Sequence, residues 1–326
     1  MNKKIINLLK LPDEIFSKKL LKHNEEKKSL ITVLFHGIFK DEKEIKLNHI
    51  DPQLGVKLNN FNQFIDYFKD YDYDFVSPNN ILKGLNPEKN HIMITFDDGY
   101  YNNIKVLPTL EENSIPAVFF ISTDHIKNNK SYWWDVHYRE NLKLGKKINQ
   151  ILNEQKNYKN MKNEEIENIL TKNFGKKAFT PKSDIDRPFN PDELKDFSKE
   201  KFVFLGNHTK NHAILTNYSS QEIEKQIINA QNDLKNMTNI TTNSISYPNG
   251  NFSDKVINIS NKLGLKIGVT LVFKKNYLPL ETKNNSLLKL GRFEIVEGYD
   301  ITKQCMLFRS DIVFYRKIVN ILNSGY

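Results

Sequence analysis

The sequence predicts an α/β fold, a largely parallel sheet joined by helical crossovers. Three observations predict it. Short, wholly apolar runs recur along the chain and alternate with segments of helical apolar spacing. These runs lack the in/out alternation of a half-exposed strand, as expected for strands covered on both faces. Polar residues capable of chemistry stand directly after them, where α/β barrels and open α/β sheets carry their sites. A chain of 326 residues fits one large α/β barrel with insertions.

Residues 1–30 read as a polar, helix-leaning lead-in, and the remainder, 31–326, as one barrel unit. Ile31–Phe35 is a buried strand ending in His36-Gly37. Phe61–Phe68 has helical spacing. Ile92–Phe96 is the second strand and leads into Asp97-Asp98-Gly99. The stretch 100–114 reads as a helix that Pro108 makes irregular. Ala117–Ile121 is a third strand. Residues 126–180 break the rhythm, being rich in Lys, Asn and Glu, with Ile148, Ile151, Leu152, Ile166, Ile169 and Leu170 at helical spacing; they read as a helical insertion.

Regularity returns with a short helix near Pro191. Phe202–Leu205 is a strand that runs into Gly206-Asn207-His208. In 219–237, Ile223, Ile227, Ala230 and Leu234 form one stripe that Ser219 or Ser220 can cap. Ser244–Tyr247 is a strand before Pro248-Asn249-Gly250. A helix at 253–263 ends at Gly264, the expected C-cap. Ile267–Phe273 and Leu287–Ile295 read as the last strands, and Ser310–Leu322 as a closing amphipathic helix.

The net charge is +9, yet only five of the 48 cations are arginines. Sequence-reading DNA modules favour Arg for bidentate base contacts, so this Lys and Asn abundance reads as a solvated surface and argues against nucleic acid as partner. One cysteine, Cys305, excludes an intrachain disulfide framework and a Cys-based zinc module. The apolar stretch at the amino terminus is broken by Asn7, Lys10, Pro12 and Asp13, short of a signal peptide, and no run approaches a membrane span. The expectation is a cytoplasmic protein with no transmembrane segment.

Two constellations carry chemistry. Adjacent carboxylates at Asp97 and Asp98 repel unless a cation sits between them or one is protonated. His208 and His212, four apart, share a face if the segment takes a helical turn, a spacing that suits two imidazoles on one metal. Two His and one carboxylate leave positions open for water and substrate, the ligand set of catalytic zinc hydrolysis. The same set holds Fe(II) in non-haem oxygenases, but those folds are usually β-sandwiches, against the βα rhythm here.

Thr95-Phe-Asp-Asp-Gly99 followed by His208-Thr-Lys-Asn-His212 resembles the polysaccharide deacetylase family with the NodB homology domain (carbohydrate esterase family 4). The run Ile115–Ile121 resembles the family's next strand, and Leu34-Phe-His-Gly-Ile38 a short strand that precedes the core in a subset of members. The resemblance implies a distorted (β/α)7 barrel and a divalent metal, usually zinc, with cobalt and nickel as alternatives. It implies Asp98, His208 and His212 as metal ligands and Asp97 as the general base. The implied substrate is an N-acetylated sugar in bacterial surface polysaccharide metabolism, and the expected cytoplasmic placement favours a nucleotide- or lipid-linked sugar over an assembled wall polymer.

Departures from the family pattern shape the remaining expectations. The third motif, often Arg-Pro-Pro-Tyr-Gly, stands here as Ser246-Tyr-Pro-Asn-Gly250. Asn249, beside Tyr247, would supply the oxyanion's backbone N–H, but the Arg that orients the catalytic Asp is absent. Leu290-Gly-Arg292 resembles a strand found in members lacking that Arg, and Arg292 is expected to pair with Asp97. The usual Leu-His-Asp strand is also absent, leaving its leaving-group acid unassigned. His36 is the candidate, with His125 and His137 behind it. Trp133-Trp134-Asp135 resembles a stretch in some relatives, and Trp134 could stack on a sugar ring. Two alternatives follow: an amide hydrolase acting on a formamide or cyclic ureide, and a catalytically silent carbohydrate-binding protein.

Overall fold

The computed structural model describes residues 14–19, 21–22 and 26–311. Eleven strands are described: β1 (Ser29–Phe35), β2 (Gly37–Phe39), β3 (Gly55–Lys57), β4 (Asp74–Phe75), β5 (His91–Phe96), β6 (Ala117–Ile121), β7 (Val203–Asn207), β8 (Ser244–Ser246), β9 (Ile267–Val269), β10 (Asn276–Tyr277) and β11 (Phe293–Glu294). Nine form one sheet in the order β10-β1-β5-β6-β7-β8-β9, with β4 against β5 and β11 against β1. Every pairing in it is parallel except β1 with β10.

The sheet curls on itself through one short segment. Leu290 bridges Val269 at the end of β9, and Phe293 and Glu294 then pair with Val33 and Leu34 of β1. The two ends of the sheet are thus stitched by residues 290–294, giving a distorted barrel. β5 and β6 are buried at every residue, as the unbroken apolar runs require. Phe96 and Phe119 stack between these strands with ring centroids 4.7 Å apart.

Helices cover the outside. The clearest, Ser220–Thr238, buries Ile223, Ile227, Ala230 and Leu234 completely. Its first turn is closed by a capping box, in which the Ser219 N–H donates to Glu222 at 2.9 Å and the Glu222 N–H donates back to the Ser219 hydroxyl. The stretch expected as one irregular helix over 100–114 is two: a 3₁₀ helix, Tyr101–Val106, then an α-helix, Leu107–Asn113. Pro108 falls in the first turn of the second, where its missing N–H costs nothing.

The 126–180 stretch holds the helices Trp133–Lys143, Ile148–Tyr158 and Asn163–Phe174. Their apolar faces, with Trp133, Trp134, Ile166 and Leu170, form a second core with Tyr100 and Tyr132. Arg139 donates to Asp186 at 2.8 Å within that core.

The terminal segments are described only in part. The last described helix is Ile301–Arg309; the Asp300 side chain caps its first turn by accepting from the Lys303 N–H at 2.8 Å, and Ser310 follows it in extended conformation. Most of the helix expected over 310–322 lies outside the described residues. So does most of the lead-in, of which 14–19 and 21–22 are helical. The strand expected over 267–273 stops at Val269, and a 3₁₀ turn, Ser286–Lys289, replaces the start of the last one. No helix among the described residues is long and apolar enough to cross a membrane.

Candidate active site

The site gathers at one end of the barrel, where β1, β5, β7 and β8 finish. The Asp97–Gly99 turn is tight: the Gly99 N–H donates to the Asp97 carbonyl at 3.0 Å, and Asp98 stands at φ +76°. A left-handed non-glycine residue costs about 1–2 kcal/mol. The Asp98 carbonyl is held by the Tyr132 hydroxyl at 2.7 Å and by the Ser122 N–H at 3.1 Å. This anchorage turns its carboxylate inward.

His208 and His212 converge without the helical turn that their spacing suggested. The segment after β7 is an irregular loop with Thr209 at φ +64° and His212 at φ +55°. Side-chain bonds stabilise it in place of a helical ladder: Asn207 accepts from the Thr209 N–H and the Thr209 hydroxyl accepts from the Ala213 N–H, both at 2.8 Å.

Both imidazoles present Nε2 to the same carboxylate. Asp98 Oδ1 lies 3.3 Å from His208 Nε2 and 3.4 Å from His212 Nε2. His208 Nδ1 donates to the Ser246 carbonyl at 2.8 Å, which leaves Nε2 as the free lone pair. Among the described residues these three are the set able to hold a metal ion, with ligand atoms all within 4.8 Å of one another. Neither Asp98 oxygen has a hydrogen-bond partner, although both are buried. A buried carboxylate without donors is costly, and a cation removes that cost. The donor set and its orphaned oxygens fit a divalent metal.

Asp97 stands beside this trio, its Oδ2 3.9 Å from His208 Nε2. Arg292 Nη1 and Nη2 donate to its two oxygens, each at 2.8 Å, and the Ser246 hydroxyl donates to Oδ2 at 2.9 Å. Arg292 also reaches the Thr95 hydroxyl at 3.2 Å and the Ser246 hydroxyl at 3.1 Å. All four side chains are buried. Burial is the largest influence on the Asp97 carboxyl and pushes it up. The charges of Arg292 and His208 together outweigh burial and bring it down to about 2, so Asp97 is ionised across the physiological range. Burial lowers both imidazoles; the Asp97 and Asp98 carboxylates overcome it at His208, which is raised. His212 stays well below the ordinary value, neutral, among positive neighbours.

The remaining expected residues are placed as follows. His36 follows β1, half-buried, with Nδ1 3.9 Å from Glu294. Asn249 stands at φ +58° and its side chain donates to Asn251 at 2.9 Å. Tyr247 is fully buried, its N–H on the Val269 carbonyl and its hydroxyl on the Leu288 carbonyl, so its side chain is part of the core and not of a substrate surface. Trp134 is 7% exposed, too little for a sugar platform. One face stacks on Tyr132 at 4.8 Å, its N–H donates to the Tyr100 hydroxyl at 2.9 Å, and its ring meets His212 at 4.4 Å. It walls the site behind a histidine. His125 is buried against Tyr132, with Nδ1 on the Lys130 carbonyl, and His137 pairs with Glu154 at 3.0 Å.

Sequence reasoning missed two supports. Ser246 occupies the position where the family often has Arg, and its hydroxyl still reaches Asp97. Tyr132 gave no signal, because its partner is a backbone carbonyl.

Known proteins share this architecture. Solved relatives in fold include the deacetylase PplD of Streptococcus pyogenes, in complex with acetate (19% identity, 84% of this chain and 96% of that one, TM-score 0.57). BC0361, a polysaccharide deacetylase from Bacillus cereus, aligns at 17% identity over 86% and 69% of the two chains, TM-score 0.59. IcaB from Ammonifex degensii aligns at 15% identity over 87% and 98%, TM-score 0.56. No curated protein sequence matches the chain. The polysaccharide deacetylase family model matches residues 84–268, more than half of the chain, spanning the Asp97-Asp98 turn and the histidine loop. The chain belongs to the polysaccharide deacetylase family.

Proposed function

We propose that the protein is a metal-dependent N-deacetylase that hydrolyses the N-acetyl amide of an amino sugar in bacterial surface polysaccharide metabolism. The carrying observation is the buried Asp98 carboxylate, unpartnered and flanked by two imidazole nitrogens. Asp98, His208 and His212 would hold the cation, zinc in the first instance. A divalent cation there supplies Lewis-acid polarisation and a lowered pKa for water.

The chain's own residues do the rest. Asp97, ionised and clamped by Arg292 and Ser246, accepts a proton from the attacking water as its oxygen bonds to the acyl carbon. The Asn249 N–H steadies the resulting oxyanion. The carbon–nitrogen bond then breaks, and His36 protonates the departing amine, leaving acetate and a free amino sugar. His36 suits this role because it directly follows β1, whose Phe35 carbonyl accepts the Asp97 N–H at 3.0 Å, and it is only half-buried.

The test is acetate release from a panel of N-acetylated sugars, free, nucleotide-linked and lipid-linked, after chelation and reloading with zinc, cobalt or nickel. Activity should return with metal, and Asp97→Asn should lower kcat by ~10²-fold or more. No acetate release across the panel with any metal would refute the reading, and formate in place of acetate would replace it with the formamide alternative.

A further inference from the structure

The three residues of the metal site are not held alike. His208 is fixed by the hydrogen bond from Nδ1 to the Ser246 carbonyl, 2.8 Å. A metal-binding imidazole ordinarily has such a partner, which sets its tautomer and the plane of its ring. His212 lacks one: its Nδ1 is buried and without a hydrogen-bond partner among the described residues. Its backbone lies in an irregular loop at φ +55° and offers no helical ladder in exchange. What bears on the ring is Trp134, with centroids 4.4 Å apart and the planes steeply inclined.

Asp98 has a different weakness. It is the centre of a three-residue turn, closed by the Gly99 N–H on the Asp97 carbonyl, with φ +76°. A turn of that kind with positive φ at its centre is the strained form and persists only when its surroundings hold it. Gly99, at φ +94°, adds no stiffness on the far side. Two donors to the Asp98 carbonyl hold the turn from outside. One is the Ser122 N–H at 3.1 Å, and the shorter is the Tyr132 hydroxyl at 2.7 Å.

Tyr132 and Trp134 form one unit. Their rings stack at 4.8 Å with 16° between planes, and both are buried where the insertion's helix Trp133–Lys143 begins. The Trp134 N–H donates to the Tyr100 hydroxyl, which donates in turn to Asp135 at 2.7 Å. Gln155, from the next helix of the insertion, donates to the Trp134 carbonyl at 3.0 Å. The Ser131 N–H donates to the Phe179 carbonyl at 2.9 Å, tying the start of the insertion to its end. Close-packed rings fastened at so many points move only with the insertion as a whole.

We propose that Tyr132 and Trp134 are positioning residues of the metal site. Tyr132 holds Asp98 through its backbone carbonyl, and Trp134 holds His212 by packing in place of the missing hydrogen bond. The insertion is then a working part of the metal site. The inference rests on the reading of Asp98, His208 and His212 as ligands and deepens it. Ligands fixed before the cation arrives lose less freedom on binding it, which raises affinity.

The test measures zinc Kd by competition with a chromophoric chelator for the unaltered protein, Tyr132→Phe, Trp134→Phe and Trp133→Phe. Trp133 is the comparison: it is buried in the same core, and its ring meets those of Trp134 and Tyr158. Tyr132→Phe and Trp134→Phe should each weaken zinc ~10-fold or more, and Trp133→Phe less than ~2-fold. Trp133→Phe should nevertheless lower the melting temperature of the metal-free protein at least as far as Tyr132→Phe, since it removes more buried ring. Unchanged zinc affinity in either Tyr132→Phe or Trp134→Phe, or an equal loss in Trp133→Phe, overturns the proposal. Tyr132→Phe keeps the ring and removes one hydroxyl, so it remains decisive even if Trp134→Phe fails to fold. Zinc binding indifferent to these variants would spare the metal site and reject its support from the insertion. No zinc binding by the unaltered protein would refute the metal site itself, and the proposal with it.

Discussion

Replacing Arg292 by Met isolates the electrostatics of the Asp97 clamp. The unaltered carboxyl lies at about 2, against 3.8 for an ordinary aspartate. Because burial is the largest influence on it, loss of the guanidinium should carry Asp97 above 3.8. A rise of ~1.8 pH units corresponds to ~2.4 kcal/mol. Breaking a buried pair by removing one partner costs ~3–5 kcal/mol, since the survivor is left uncompensated. A loss of about 3 kcal/mol at pH 7.5 is expected, measured by urea denaturation with a chelator present. The pH dependence separates charge from packing. In the unaltered protein the lowered carboxyl adds stability above the unfolded value near pH 4, and this is lost as pH falls toward 2. In Arg292→Met the raised carboxyl imposes a penalty that is full at neutral pH and fades as pH falls through its new value. The gap between the two proteins should therefore shrink from pH 7.5 to pH 4. An equal gap at both would mean that Arg292 contributes packing alone and that its pairing with Asp97 stores no charge energy.

Two further outcomes follow from the geometry. Adding zinc at a hundredfold over its Kd should stabilise the unaltered protein by ~2.7 kcal/mol, a rise of about 4 °C in melting temperature, and should leave Asp98→Asn unmoved; equal shifts in both would remove Asp98 from the metal site. Gly268→Ala should cost ~1–3 kcal/mol by urea denaturation, because a Cβ there would sit 2.5 Å from the Leu288 carbonyl and 2.7 Å from the Tyr247 hydroxyl; an unchanged midpoint would show that the strand edge yields freely.

The sheet was legible because its strands bury both faces, which writes them as continuous apolar runs such as Ala117–Ile121. The helix at 220–238 was legible from its stripe and its capping serine. Asp97, Asp98, His208 and His212 could be singled out because chemistry restricts residue type at strand ends, whatever the intervening chain does.

The route by which they meet was not legible. The four-residue spacing of the histidines suggested a helical turn, but left-handed Thr209 and His212 reach the same convergence through side-chain to backbone bonds. Trp134 resembled a sugar platform, yet its ring is consumed by Tyr132, Tyr100 and His212, contacts between segments that the sequence lists separately. Tyr247 shows the same effect beside Leu288. Local pattern determined which segments become strands and helices and which residue types could react. Tertiary packing alone decided which polar side chains are spent on neighbours and which remain available, since satisfaction of a buried group depends on partners from distant parts of the chain.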